Sequence, residues 1–76
     1  MNPKLIAEGV AYDAYMNYHR ARLQLSEGLQ MVDQLREYVI QEREDKYLIT
    51  YRNGFDAGKP SLYASVDKSS GEVNYV

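Results

Sequence analysis

The sequence predicts an α+β fold, with a long N-terminal helical half over about residues 3–45 followed by a three-stranded antiparallel β-meander. Three observations carry the prediction. No proline interrupts the chain between Pro3 and Asp45, and small or apolar residues recur there with heptad spacing. From Tyr47 onward the apolar period switches from that of a helix to two, the period of a half-buried strand.

The helix has a recognisable start. Pro3 suits the first helical turn, where its missing N–H is not needed, and Asn2 before it supplies a side-chain acceptor for the orphan amides of that turn. Heptads laid on the helical half place Ala7, Ala14, Ala21, Gly28 and Leu35 at one seam position and Ala11, Tyr18, Leu25, Val32 and Val39 at the other. Asp13, Arg20, Glu27, Gln34 and Gln41 fall on a polar line of the same helix. The first half of the seam is small-sided and the second half larger. That pattern fits knobs-into-holes pairing with a second helix, and self-association is expected through Leu25, Val32, Leu35 and Val39. The same periodicity also arises from one amphipathic helix lying on its own sheet.

Ser26-Glu27-Gly28 divides the helical half into two possible designs. Ser26 has the chemistry of a cap, and Gly28 costs a continuous helix about 1 kcal/mol relative to Ala, so a helical hairpin breaking there is one reading. One continuous helix is the other, because a hairpin has no need to keep heptad phase across its turn. A continuous helix of that length would reach about 60 Å. Short strands of about 20 Å do not cover it, so continuity implies a partner helix.

Charged residues Glu42 to Lys46 mark where the helix should fray. In the first strand Tyr47, Ile49 and Tyr51 alternate with Leu48, Thr50 and Arg52. In the second, Leu62, Ala64 and Val66 alternate with Tyr63 and Ser65, and the third is short, Glu72 to Val76. The connection from Asn53 to Pro60 is too long for a two-residue hairpin, so Asn53-Gly54 is a turn inside a longer loop. Asp67 to Gly71 closes the last hairpin, with Gly71 available for positive φ.

A chain of 76 residues with no Cys is one domain, 1–76, and has neither disulfides nor a thiolate metal site with which to stabilise itself. Oligomerisation is the remaining common route, and a homodimer is expected. The net charge of −2 argues against nucleic acid as the partner. Negative charge concentrates between Glu27 and Asp45. No basic-then-apolar leader opens the chain and no apolar run is long enough for a bilayer, which predicts a cytoplasmic protein without membrane contact. Tyrosine is the compositional outlier, with eight Tyr against one Phe and no Trp. Such rings suit half-buried positions and contact surfaces, because each combines a large apolar area with a hydroxyl that needs a partner.

Candidate chemistry is sparse. The single His, His19, shares a helical line with Glu8, Tyr15 and Arg22, but Glu8 stands about 16 Å away along the axis, beyond hydrogen-bond reach. Gly54 to Lys59 fails as a phosphate loop, since its glycines are too close, Pro60 follows Lys59 and a strand comes next. No Gly-flanked nucleophilic Ser accompanies the His, and no cofactor or metal site is expected. The residues therefore point to a small non-catalytic interaction protein, an inhibitor, adaptor or accessory factor such as mobile elements encode. Its expected protein-binding residues are Tyr12, Tyr15, His19, Arg52 and Tyr63, with Tyr18 largely buried and at least one of Tyr12 and Tyr15 substantially exposed. The alternative is nucleic-acid binding, with Arg20, Arg22, Arg52, Lys59 and Lys68 on one surface and Tyr rings stacking on bases. The stretch VDKSSGEV at 66–73 resembles the terminal hairpin of PepSY-type domains, over about eight residues of mostly turn chemistry. That resemblance implies a helix before a small antiparallel sheet and a peptidase-inhibitory or chaperoning role, with no catalytic residues to carry over.

Overall fold

The computed structural model describes residues 2–25, 36–53 and 58–76, with the backbone alone for 21–25 and Asn53. One helix, α1 (Pro3–Leu25), precedes four strands: β1 (Arg36–Glu42), β2 (Lys46–Asn53), β3 (Ser61–Asp67) and β4 (Val73–Tyr75). The strands form a single antiparallel meander in the order β1-β2-β3-β4. The α+β class, the helix at its start and the antiparallel meander agree with the expectation from sequence.

Asn2 caps α1 as its chemistry predicts. Its Oδ1 accepts from the Lys4 amide at 3.0 Å, and its carbonyl accepts from Ile6 at 3.1 Å. The first of these satisfies a donor that the opening turn leaves without an intrahelical partner, and the second is the first bond of the helix ladder itself. The helix lies across one face of the sheet and runs antiparallel to β1. Glu42 at the end of β1 is lowered in pKa first by Lys68 and also by Lys4 at the start of the helix, while Arg36 at the start of β1 reaches Tyr18.

The core is the seam where helix meets sheet. Ala7, Ile49, Ala64 and Val66 are fully buried together, and Ile6, Val10, Ala11, Tyr38, Ile40, Tyr47, Tyr63 and Val73 close around them. Ala14 is buried further along the same helical face. Alanine at these heptad positions lets the helix backbone approach the sheet, and the larger aromatic rings fill the flanks. At Ala7 and Ala14 the predicted seam is thus an intramolecular contact, the amphipathic reading of the heptads, while Gly28 and the side chain of Ala21 lie outside the described residues.

Two expectations from sequence are corrected. Residues 36–42, expected to be helical, instead form β1, paired residue for residue with β2 from Arg36 opposite Asn53 to Glu42 opposite Tyr47. The sheet therefore has a fourth strand. Tyr38, Val39 and Ile40 are aromatic or β-branched, and Tyr38 and Ile40 fall on one face of a period-two pattern. Over so short a run, Leu35 and Val39 match a heptad equally well, and cross-strand pairing decides the outcome. Val39 is consequently a strand residue on the sheet face away from the helix, 44% exposed, rather than part of a helical seam. The side chain of Leu25, and Val32, Leu35 and the proposed break at Ser26–Gly28, lie outside the described residues, as do Gly54 and Phe55.

The second correction is a β-bulge. Ile49 pairs with Ala64 but Thr50 pairs with Leu62, leaving Tyr63 as an extra residue on β3. Plain alternation places Tyr63 opposite Ala64 across the sheet. The bulge turns it onto the helix side, and Leu62 onto the other face, where it is 43% exposed.

Glu42 to Lys46 is the β1–β2 turn, closed by the Arg43 amide donating to the Lys46 carbonyl at 2.8 Å. The β3–β4 turn is built by Asp67, whose Oδ1 accepts from the Ser69 hydroxyl at 2.6 Å and from the Ser69 and Ser70 amides at 2.7 and 3.0 Å. Gly71 there has φ of 75°, as its position predicts. Lys68 ties the two turns together, with its amide on the Asp45 carbonyl and its ammonium 2.7 Å from Glu42.

Ile49→Ala should destabilise the domain by about 2–5 kcal/mol, because it leaves a cavity at the centre of the helix–sheet contact. Urea unfolding measures this, and a loss below about 1 kcal/mol would show that the core lies elsewhere. A second expectation concerns acid. The Ser69 hydroxyl first, then the Ser70 and Ser69 amides, hold the Asp67 carboxyl below its ordinary range. The unfolded chain takes up this proton at higher pH than the folded one, so the stabilisation is complete above the ordinary Asp range and is lost as pH falls through the depressed value. Glu42, lowered by Lys68, has the same sign. Asp67→Ala should therefore shrink the fall in melting temperature between neutral and acid pH, and an unaltered acid limb would refute the role of the turn.

Candidate protein-interaction surfaces

Three surfaces are left by this packing. The first is the side of α1 turned from the sheet. Leu5, Glu8, Tyr12, Tyr15 and His19 succeed one another at spacings of three and four, which stacks them along one line of a helix. Leu5 and Tyr12 are each 63% exposed and Tyr15 is 42% exposed. Tyr15 and His19 stack with ring centroids 5.1 Å apart and planes inclined by 19°. That contact holds the imidazole along the helix surface.

The second surface is an aromatic row on the helix side of the sheet, beyond the alanine seam. Tyr38 meets Tyr51 at 5.7 Å and Tyr63 at 5.6 Å between centroids, and Tyr63 meets Tyr75 edge-on at 5.8 Å. One tyrosine comes from each strand, and the bulge brings Tyr63 into line. Arg36 lies between two rings, its guanidinium carbon 4.2 Å from the Tyr18 centroid and 4.4 Å from that of Tyr51. A cation held against two aromatic faces fastens the second half of α1 to the start of β1. Tyr18, expected to be largely buried, is half-buried there.

The third surface is the uncovered sheet face. Val39, Leu48, Leu62 and Arg52 emerge there, and Thr50 is buried among them with its hydroxyl on the Val39 carbonyl at 3.5 Å. A depression of about 240 Å³ is lined by Glu37, Val39, Gln41, Thr50, Arg52 and Pro60. It is smaller than the roughly 300–1,000 Å³ of ordinary small-molecule sites. Size therefore gives no reason to read it as a ligand pocket.

Of the expected binding residues, the structure brings Tyr12, Tyr15 and His19 together. Arg52 stands on the opposite side of the molecule, and Tyr63 is half-buried in the aromatic row. Leu5 is absent from the set expected from sequence, although it lies seven residues before Tyr12 and fourteen before His19, a spacing visible in the chain. Among the described cations, Lys68 is engaged with Glu42 at the turn end of the sheet, whereas Arg52 projects near the other end. No shared basic surface results from these two.

Comparison with known proteins finds no matching family, no matching curated protein and no matching solved structure. The likeness at 66–73 thus rests on the hairpin alone. No helix of the described residues is long and apolar enough to cross a membrane, and those residues contain no group of three or more potential metal-ligating side chains.

The aromatic row makes a prediction at alkaline pH. Burial, and then the neighbouring Tyr75 and Tyr38 hydroxyls, push the Tyr63 phenol above its ordinary value. The folded state then holds this proton to higher pH than the unfolded chain does, and stability declines as pH rises from the ordinary Tyr range through the raised value. Tyr63→Phe should lessen that decline. An identical alkaline limb in the variant would place Tyr63 outside the buried row.

Proposed function

We propose that the protein is a non-catalytic binding module, an inhibitor, adaptor or accessory factor, which engages another protein in the cytoplasm through the exposed line of α1. The observation that carries this reading is the exposure of Leu5, Tyr12 and Tyr15 on one helical line while the opposite side of the same helix is spent on the core. A monomer gains nothing by leaving large apolar side chains aligned in water. A helix that presents Leu5, Tyr12 and Tyr15 at spacings of three and seven among polar neighbours fits a groove on a partner. Tyrosine is suited to the task because it loses little conformational freedom for the area it covers and is enriched where interface energy concentrates. The single His, stacked on Tyr15, extends the patch.

The test separates binding from folding. Tyr12→Ala and Tyr15→Ala should each leave unfolding free energy within about 0.5 kcal/mol of the parent, as surface substitutions do. Each should weaken retention of the partner in affinity capture, by about tenfold or more where the ring is an anchor. Variants that unfold would make these rings structural. Undiminished capture by both variants would remove the helix from the interface.

A further inference from the structure

We infer that β1 is a dimerisation strand that pairs antiparallel with β1 of a second copy about a twofold axis at Val39, extending two meanders into one continuous sheet. This goes beyond the helix-borne interface and uses a different part of the molecule.

The two edges of the sheet differ. β4 is a three-residue edge. β1 is the other edge and runs for seven residues, paired with β2 along its whole length without a register shift, because the bulge is confined to β2 and β3. It contains no Pro and no Lys, its charged residues Arg36, Glu37 and Glu42 stand toward its ends, and a long regular edge with an uncharged middle is a template for another strand.

The direction of its backbone groups is set by two bonds. The Arg43 amide points toward β2, where it donates to Lys46, and the Val39 carbonyl points the same way, toward the Thr50 hydroxyl. Odd-numbered residues of β1 therefore spend their amides and carbonyls on β2, and those of Tyr38, Ile40 and Glu42 point outward. Among the described residues no other strand stands on that side.

The sequence of β1 is self-complementary about its midpoint. With Val39 opposite Val39 of the second copy, Tyr38 faces Ile40, Glu37 faces Gln41 and Arg36 faces Glu42. The two pairings of Tyr38 with Ile40, whose backbone groups point outward, exchange hydrogen bonds, while the Val39 pair is of the closer, non-hydrogen-bonded kind. No like charges meet, and core-side residues meet core-side residues. Moving the axis to Tyr38 or to Ile40 loses this match, since Glu37 then faces Val39 or Val39 faces Gln41. The axis is perpendicular to the sheet, so both helices lie on one face. Val39, Leu48 and Leu62 of both copies line the other.

The test uses the full chain, which has no native Cys. Sedimentation should give a species near twice the 8.8 kDa monomer mass. Val39→Cys should crosslink nearly completely under mild oxidation, because a non-hydrogen-bonded pair sets its Cα atoms about 4.5 Å apart, within disulfide reach. Gln41→Cys should not, since its two copies would lie about 13 Å apart along the strands. Val39→Lys, at an exposed position, should keep the circular dichroism spectrum of the parent and weaken the dimer about tenfold or more by placing like charges opposite each other. A monomer throughout the micromolar range would overturn the inference. So would a dimer in which Gln41→Cys crosslinks as readily as Val39→Cys, or one indifferent to Val39→Lys. The helix variants Tyr12→Ala and Tyr15→Ala should leave this dimer intact, which keeps the two interfaces distinguishable.

Discussion

The closeness with which α1 settles on the sheet at Ala7 governs the rest of the molecule. A methyl group there meets Ile49, Ala64 and Val66 with no solvent left between them. Only two large side chains, Ile49 and Val66, are fully buried among the described residues. So small a core has little tolerance for a displaced helix. Aliphatic side chains from Ile6, Val10, Ile40 and Val73 close around it, Tyr38, Tyr47 and Tyr63 wall the contact on the sheet side, and the Arg36 guanidinium bridges Tyr18 and Tyr51 beyond Ala14. The abundance of Tyr and near absence of Phe suit this arrangement. Rings at the margin of a thin core keep one end in water, which a hydroxyl tolerates and a phenyl edge does not exploit.

Much of this was legible in the chain, for identifiable reasons. The capping chemistry of Asn2 and Pro3, the seating of Ala7 and Ala14, the alternation through Tyr47 to Arg52 and the left-handed Gly71 are local signals, and each is satisfied locally. The signals that misled were also local. Leu35 and Val39 complete a heptad as well as Tyr38 and Ile40 complete a strand, and only the partner β2 distinguishes them. The bulge was invisible because nothing in LYAS announces an extra residue. It arises from fitting β3 simultaneously to Ile49 and to Thr50.

For the functional surfaces the division is similar. Tyr12, Tyr15 and His19 could be grouped from helical spacing alone, and Leu5 belonged with them on the same arithmetic. Arg52 and Tyr63 could not be placed, because their faces depend on sheet register and, for Tyr63, on the bulge. Ranked by residue type, a Tyr and an Arg fall into one patch. Topology puts them on opposite sides.

The bulge at Tyr63 also acts as an alignment mark. A plain antiparallel pair can slide by two residues and still present the same faces, so its alignment rests on side-chain fit alone. Here a slide would carry the doubled residues away from the step between Ile49 and Thr50. It would draw Tyr63 out of the row that Tyr38, Tyr51 and Tyr75 complete. One irregular residue thus gives β2 and β3 a single correct setting, in a sheet whose remaining pairings are uniform enough to permit several.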